Sequence, residues 1–210
     1  MSRYLLDTNI LSNVTKPAPS PALLEWMGAQ ADQDLFIATL TVAELRRGSL
    51  QLARAMARLA GSDRPGMRWA LCFDDSLLFA QALLACALGG YRAILPGHQR
   101  LAGLQALQSQ FDGLLTDGEL PGSALRGAQL RLPLLAADDE READGAALPP
   151  ERLSLTLFSS GSTGEPKAIP KAWPQLEAEL RVQMALWGER LAGTRVLASV
   201  SHQHIYGLLF

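Results

Sequence analysis

The sequence of 210 residues predicts an α/β fold in which mostly parallel sheet segments are flanked by helices. Two observations predict this class. Short apolar runs of strand length alternate with longer segments that carry apolar residues at helical spacing. Within residues 68–116 this alternation predicts three strands separated along the chain by two helices. Strands joined through a helix pair in parallel, because the crossover returns the chain to the edge from which it started.

The first elements lie near the N-terminus. The apolar run at 3–12 predicts a buried strand that brings Asp7 to its C-terminal end, the edge at which open parallel sheets bind ligands. Residues 35–39 form a second predicted strand. A helix is expected to begin at 41–48. The order of these elements is that of an α/β segment.

Together, the segments LLDTNILS and LFIATLTVAELRRG resemble PIN-domain ribonucleases, the toxin half of many bacterial toxin–antitoxin pairs. The resemblance covers residues 1–50. It implies that Asp7 and Glu44 are ligands of magnesium or manganese, and that Asn9 or Thr8 orients Asp7. It also implies RNA as the substrate and an antitoxin protein as a partner.

Glu44 also has a purely structural explanation. Thr41 and Glu44 have the spacing of a capping box, in which two side chains bond to backbone N–H groups at a helix start. Metal-dependent cleavage of a phosphodiester needs further carboxylates. Asp74 and Asp75 precede an apolar helix and are the next candidates. We expect Asp74 and Asp75 to belong to a different domain, which follows the PIN-like segment. The reason is that residues 94–98 lack the Thr–Arg/Asn–Asp cluster of the PIN pattern.

The larger part of the chain begins with five elements in β-α-β-α-β order. This order is typical of a parallel sheet covered by helices. The predicted strands are 68–73, 93–96 and 113–116, and the predicted helices are 76–88 and 101–111. An acidic, proline-ended segment at 136–150 then predicts a solvated connection.

The most distinctive segment follows this connection. A strand at 153–158 leads into Ser159–Gly164, a loop of hydroxyl groups and glycines, and Lys167 comes shortly after. Glycine permits the backbone angles with which several N–H groups converge on one anion, and lysine adds a mobile positive charge. The segment therefore predicts a phosphate-binding loop. Its spacing is not that of the common P-loop, because Pro166 stands where the second glycine is required.

Residues Phe158–Lys167 closely resemble the signature loop of AMP-forming ligases, the superfamily of acyl- and aryl-CoA synthetases, luciferase and adenylation domains. Ala168 replaces the final glycine of that signature. A second stretch, SHQHIYGLLF at 201–210, resembles the next signature of the family, a His–aromatic–Gly turn that lines the acyl pocket. Between the two we expect a helix at 175–191 and a short buried strand at 195–200.

The resemblance implies roles for particular residues. Lys167 and His204 are the expected catalytic residues, and Lys167 also contacts the phosphates of ATP. His204, Tyr206 and Gly207 are expected to border the acyl pocket. A metal pair formed by His202 and His204 is the alternative for that strand, without an evident third ligand. The loop residues implied in nucleotide binding are Ser159, Ser160, Gly161, Ser162, Thr163 and Gly164.

The implied reaction is the ATP-dependent, AMP-forming activation of a carboxylic acid. Magnesium-bound pyrophosphate leaves, and the acyl group passes to a thiol such as coenzyme A. The alternative function is a Mg²⁺-dependent PIN-domain ribonuclease. Neither catalytic set is complete in the sequence, so a non-catalytic fusion or fragment is the third hypothesis. The expected domains are a PIN-like fragment at 1–50, the start of a ligase domain at 51–135, an acidic linker at 136–150 and a ligase segment truncated at its C-terminus at 151–210.

The composition of the chain limits which binding partners and which cellular location we expect. A net charge of −2 and a pI of 5.9 predict no broad electrostatic surface for nucleic acid. Cys72 and Cys86 lie in apolar surroundings and are expected to be buried thiols in a reducing compartment. No signal-peptide pattern occurs, and the longest apolar run, at 77–88, is too short to span a bilayer. We therefore expect a soluble, cytoplasmic, bacterial protein with no membrane partner.

Overall fold

The structure, a computed structural model, describes residues 4–6, 10, 13, 18–30, 35–37, 39–60, 66–134, 150–159, 166–191 and 208. Its elements alternate between strands and helices along most of this length. In chain order they are β1 (Tyr4–Leu6), α1 (Pro21–Gly28), β2 (Leu35–Ile37), α2 (Thr39–Ala60), β3 (Arg68–Cys72), α3 (Ser76–Gly89), β4 (Arg92–Leu95), α4 (Leu101–Ala106), β5 (Gly113–Thr116), β6 (Ala128–Arg131), β7 (Ser154–Ser159), β8 (Lys167–Ala172) and α5 (Trp173–Leu191).

The described strands form two sheets. β1 and β2 pair in parallel as a small two-stranded sheet. The other six form a sheet in the order β6-β5-β3-β4-β7-β8. Neighbouring strands of this sheet are parallel, except for the antiparallel pair of β7 and β8. The predicted α/β class with a mostly parallel sheet is confirmed.

Helices cover both faces of the large sheet. From β3 the chain passes through α3 to β4, and from β4 it returns through α4 to β5 on the other side of β3. Right-handed crossovers that run in opposite directions lie on opposite faces. Burial along β3 agrees with this, because Trp69 and Leu71 pack with α3, whereas Ala70 and Cys72 pack with α4.

Two carboxylates that flank β5 hold both ends of β3. Before β5, Asp112 accepts hydrogen bonds from the backbone N–H of Arg68 (3.0 Å) and from its guanidinium Nε (3.0 Å) and Nη2 (2.8 Å). These bonds raise the pKa of Arg68. After β5, Asp117 accepts from the backbone N–H groups of Asp74 (3.0 Å) and Asp75 (2.8 Å). Such charge-assisted bonds fix the register of β3 on β5.

Helix α3 begins and ends at positions that the sequence marks. Asp75 is its N-cap, and its Oδ1 accepts from the backbone N–H groups of Leu77 (2.8 Å) and Leu78 (3.0 Å). At the other end Gly90 has a φ of +67°, a left-handed conformation that closes the helix and that glycine adopts without steric cost. The predicted helix at 76–88 is confirmed.

The second predicted helix of this part is shorter than expected. The pattern at 101–111 predicts one continuous helix, but α4 ends at Ala106 and a 3₁₀ turn covers Gln108–Gln110. The side chain of Gln108 donates to the carbonyl oxygen of Arg126 (3.2 Å) and accepts from its N–H group (2.9 Å). These bonds tie the turn to the chain before β6. Tightening into a 3₁₀ turn is common where a helix ends.

The sequence pattern does not predict β6 or β8. Both lie at edges of the large sheet. β8 contains Pro170, which is typical of edge strands because proline cannot donate a hydrogen bond to a further strand. The expected strand at 195–200 lies outside the described residues, and so does the expected acidic connection at 136–150 except for Pro150.

Replacing Asp75 by Ala should destabilise the fold, because two N–H groups at the start of α3 lose their acceptor. We expect a loss of about 1 kcal/mol in the free energy of unfolding, measured by urea denaturation. Asp74→Ala is the matched control, since Asp74 is exposed and its Oδ1 accepts only the Gln99 side-chain bond described below. Its effect should stay within about 0.5 kcal/mol. Equal losses in the two variants would contradict the assigned cap.

Candidate functional site

The parallel strands of the large sheet end together at one edge. β3 ends before Asp74, β4 before Pro96, β5 before Asp117, and β7 ends with Ser159. The crossovers that leave β3 and β4 lie on opposite faces, so a crevice opens between these two strands at this edge. In open α/β sheets, ligands bind at such a position. This edge is therefore the candidate site of the larger part of the chain.

The hairpin of β7 and β8 positions the ends of the predicted phosphate-binding loop. Ser159 lies directly opposite Lys167 in the antiparallel register. Lys167 is exposed, and Ser159 is partly buried. β7 follows β4 in the sheet, so Ser159 lies at this edge one strand beyond β4, and Lys167 on β8 lies one strand further out. The other implied binding residues, Ser160, Gly161, Ser162, Thr163 and Gly164, lie outside the described residues.

The base of the same hairpin is tied to α5. The Lys171 ammonium forms an ion pair with the carboxylate of Glu179 on that helix. The backbone N–H of Ala172 donates to Gln175 Oε1 (2.9 Å). The backbone N–H of Trp173 donates to the carbonyl oxygen of Leu153 (3.1 Å), just before β7. These contacts anchor the hairpin at the end opposite to Ser159 and Lys167.

The loops that follow β3, β4 and β5 are joined by a network of side-chain hydrogen bonds. The Asp117 carboxylate after β5 binds the backbone N–H groups after β3, as described above. The Gln99 amide, after β4, donates to Asp74 Oδ1 (2.8 Å). Thr116 Oγ1 accepts from the backbone N–H of Gly118 (3.0 Å) and stabilises the turn that carries Asp117. This network shapes the edge of the crevice.

Sequence reasoning missed Asp117 and Gln99. The only local signal is the polar turn Thr116–Gly118 that follows a strand. The partner groups of Asp117 are 42 and 43 residues away in the chain, so no short motif reveals them.

Asp74 and Asp75 have structural partners in the larger sheet. Asp75 is buried and caps α3. Asp74 is exposed and is bonded to Gln99. Neither carboxylate meets Glu44 in a metal-binding group, since the described parts of the chain contain no set of three or more His, Cys, Asp or Glu side chains placed to hold a metal ion.

Of the two expected metal ligands near the N-terminus, Asp7 and Glu44, the structure describes only Glu44. Asp7, together with Thr8 and Asn9, lies outside the described residues. Glu44 is exposed on α2. Helix α2 begins at Thr39, two residues before Thr41.

The second ligase-like motif is described at one residue. His202, His204, Tyr206 and Gly207 lie outside the described residues. Leu208, directly after Gly207, packs against the apolar cluster on the α3 face of the large sheet.

Both cysteines are free and buried. Burial, with a smaller contribution from the Asp117 charge, raises the pKa of the Cys72 thiol to about 12. Burial raises the pKa of the Cys86 thiol to about 12. At neutral pH both are protonated, so neither supplies a nucleophilic thiolate. In the described part of the chain no helix is long and apolar enough to cross a membrane.

The buried thiols should make stability fall at alkaline pH. Above the ordinary thiol pKa of 9.0, the unfolded state releases protons that the folded state keeps until about pH 12. The free energy of unfolding should therefore decrease by up to about 1.4 kcal/mol per pH unit for each thiol. Urea denaturation at a series of pH values from about 8 to about 11 measures this slope. Cys86→Ala should show a smaller slope than the parent chain, and an unchanged slope would refute the assignment.

Replacing Asp117 by Ala should loosen the edge of the crevice, because the N–H groups of Asp74 and Asp75 lose a charged acceptor. We expect a loss of about 1–3 kcal/mol in the free energy of unfolding. Glu119→Ala removes an exposed carboxylate two residues further on and serves as the control. Its effect should stay within about 0.5 kcal/mol. A similar loss for both variants would show that Asp117 has no special role.

The profiles of known protein families give no match to the chain. Among curated proteins, it is 48% identical over 44 residues to the plasmid stability protein StbB of Pseudomonas syringae, which is 21% of this chain and 32% of that protein. It is 32% identical over 75 residues to Ribonuclease VapC14 of Mycobacterium tuberculosis, which is 36% of this chain and 67% of that protein. The chain thus spans about a third of the first relative.

Among solved structures, the O-succinylbenzoate coenzyme A synthetase of Bacillus subtilis in complex with AMP has a similar fold, with a TM-score of 0.58 at 22% identity. The match covers 80% of this chain and 45% of that enzyme. At this identity the likeness concerns the fold. In its N-terminal part the chain therefore belongs to the VapC ribonuclease family, and its larger sheet has the fold of part of an adenylate-forming domain.

Proposed function

We propose that the loop between β7 and β8 binds the phosphates of ATP, in support of AMP-forming activation of a carboxylic acid. The observation that carries this proposal is the position of Ser159 opposite Lys167, at the end of a hairpin on the same edge of the sheet as the crevice. There a serine hydroxyl and a lysine ammonium flank the entry and the exit of one loop. Both groups donate hydrogen bonds to phosphate oxygens.

The proposed binding set completes the loop. Its members between the two hairpin ends contribute hydroxyl groups and backbone N–H groups, which suit an anion of high charge density. Lys167 and His204 are the proposed catalytic residues. His204, Tyr206 and Gly207 are proposed to border the acyl group. The proposed phosphate-binding residues are Ser159, Ser160, Gly161, Ser162, Thr163, Gly164 and Lys167.

The proposed reaction has two steps. A carboxylate oxygen of the substrate attacks the α-phosphorus of ATP, the bond to pyrophosphate breaks, and an acyl-adenylate forms. The sulfur of a thiol such as coenzyme A then attacks the acyl carbon, and AMP leaves. The proposed part of the loop is electrostatic stabilisation, because hydrogen-bond donors held near the phosphates offset the charge that accumulates there. The described carboxylates do not assemble a magnesium site, so we assign them no part in either step.

Removal of the lysine tests this role. Lys167→Ala should weaken binding of ATP about tenfold, because one charge-assisted contact is lost. Lys171→Ala is the matched control: it removes a lysine from the same face of β8, but one that is paired with Glu179 at the far end of the hairpin. Its effect should be less than about twofold. Equilibrium dialysis with labelled ATP and magnesium measures both values.

The proposal fails if the parent chain does not bind ATP, or if Lys167→Ala binds as well as the parent. A second assay follows ATP–pyrophosphate exchange over a panel of carboxylic acids. Binding without exchange would support a nucleotide-binding fragment and would refute catalysis by this chain alone.

The family of the N-terminal part favours a second function, a magnesium-dependent ribonuclease that is controlled by an antitoxin protein. Asp7 and Glu44 are the proposed metal ligands. Cleavage of single-stranded RNA that is lost in Asp7→Ala would support it. The free, buried thiols and the need for ATP support a cytoplasmic location.

A further inference from the structure

The large sheet alone cannot bury the apolar surface of helix α3. Its sequence, SLLFAQALLACALG, is apolar on all sides, and Gln81 is the only residue with a charged or amide side chain in it. One side of the helix packs on β3 and β4. A helix that is apolar all round is stable in water only when its other side is covered as well. The outer side of α3 therefore requires a partner.

Helix α2 supplies that cover. Ser49, Leu52 and Met56 are buried, with exposed fractions of 0%, 1% and 0%. Their spacing places them on one face of α2. Leu52 and Met56 belong to the same apolar cluster as Ala82, Ala85 and Cys86 of α3 and the α3 face of the sheet. The face of α2 that is buried is thus the one that closes this cluster.

The two helices approach closely at one point. A Cβ atom built on Gly48 of α2 would lie 1.5 Å from Nε2 of Gln81 on α3. The single amide side chain of α3 thus occupies the space that the missing Cβ of Gly48 leaves open. Glu44, one turn earlier, and Arg47, directly before Gly48, border a cavity of about 250 Å³ that also contacts Leu132 and Leu134 after β6. The start of α2 therefore faces the large sheet as well.

We propose that α2 is an integral layer of the adenylate-forming fold in this chain, although its first residues belong to the segment that is similar to VapC ribonucleases. The expected domain boundary between residues 50 and 51 falls inside this continuous helix. Helix α2 then has a role that requires neither RNA nor a metal ion: its residues from Gly48 onward, on both sides of the expected boundary, bury the outer side of α3. This role is independent of nucleotide binding by the β7–β8 loop.

Hydrogen exchange measured by mass spectrometry tests the proposal. Leu52→Ala should accelerate exchange in β3, α3 and β5 together with α2, on the order of a hundredfold, since a buried leucine is lost from a shared cluster. Leu59→Ala is the matched control on the same helix, because Leu59 is 49% exposed. It should change exchange less than about threefold. Acceleration confined to residues 4–60 would overturn the proposal, because it would show an N-terminal module that unfolds by itself.

A milder pair of variants covers the case in which Leu52→Ala does not fold. In a Gln81→Ala background, Gly48→Ala should raise the folding equilibrium constant about fivefold, because glycine is unfavourable inside a helix. With Gln81 present the same change should give less than about twofold, since the new methyl group displaces the amide. Urea denaturation gives both constants. Equal effects in the two backgrounds would show that α2 and α3 do not meet at this point, and would overturn the proposal.

Discussion

The position of β3 between its neighbours is the constraint on which the rest of the large sheet depends. Parallel strands have no tight turn to set their register, so other groups must do so. Here Asp112 and Asp117, at the two ends of β5, bind the two ends of β3. The second of these contacts also holds the N–H of Asp75, the residue that caps α3. The Asp117 carboxylate thus helps to position the start of α3, the helix against which α2 packs.

The position of the β7–β8 hairpin also depends on β3. β7 pairs with β4, and β4 pairs with β3. Ser159 and Lys167 therefore stand at a fixed distance along the sheet from the crevice between β3 and β4. The hairpin itself is braced from behind, where Lys171 meets Glu179. For the proposed phosphate-binding loop, ends that are fixed in the sheet would reduce the conformational freedom lost on binding.

Much of the architecture could be predicted from the sequence, because its central strands are continuous apolar runs and α3 has both a cap and a terminal glycine. The edge strand β8 could not, since Lys167, Pro170 and Lys171 carry no strand pattern and pair only because β7 folds back on them. The ends of the proposed phosphate-binding loop, Ser159 and Lys167, belong to a short motif that the sequence shows directly. The Asp117 network was not, because hydrogen bonds between distant loops leave no periodic signal.

The unbroken course of α2 has a consequence for how the VapC-like segment is joined to the large sheet. Successive residues of an α-helix are rotated by about 100° around its axis. An insertion or deletion of one residue between Gly48 and Leu52 would turn Leu52 and Met56 away from α3 and leave the contact at Gly48 in place. The joint therefore tolerates exchange of surface residues but not a change in length. Helical phase, rather than a flexible linker, keeps the two parts in register.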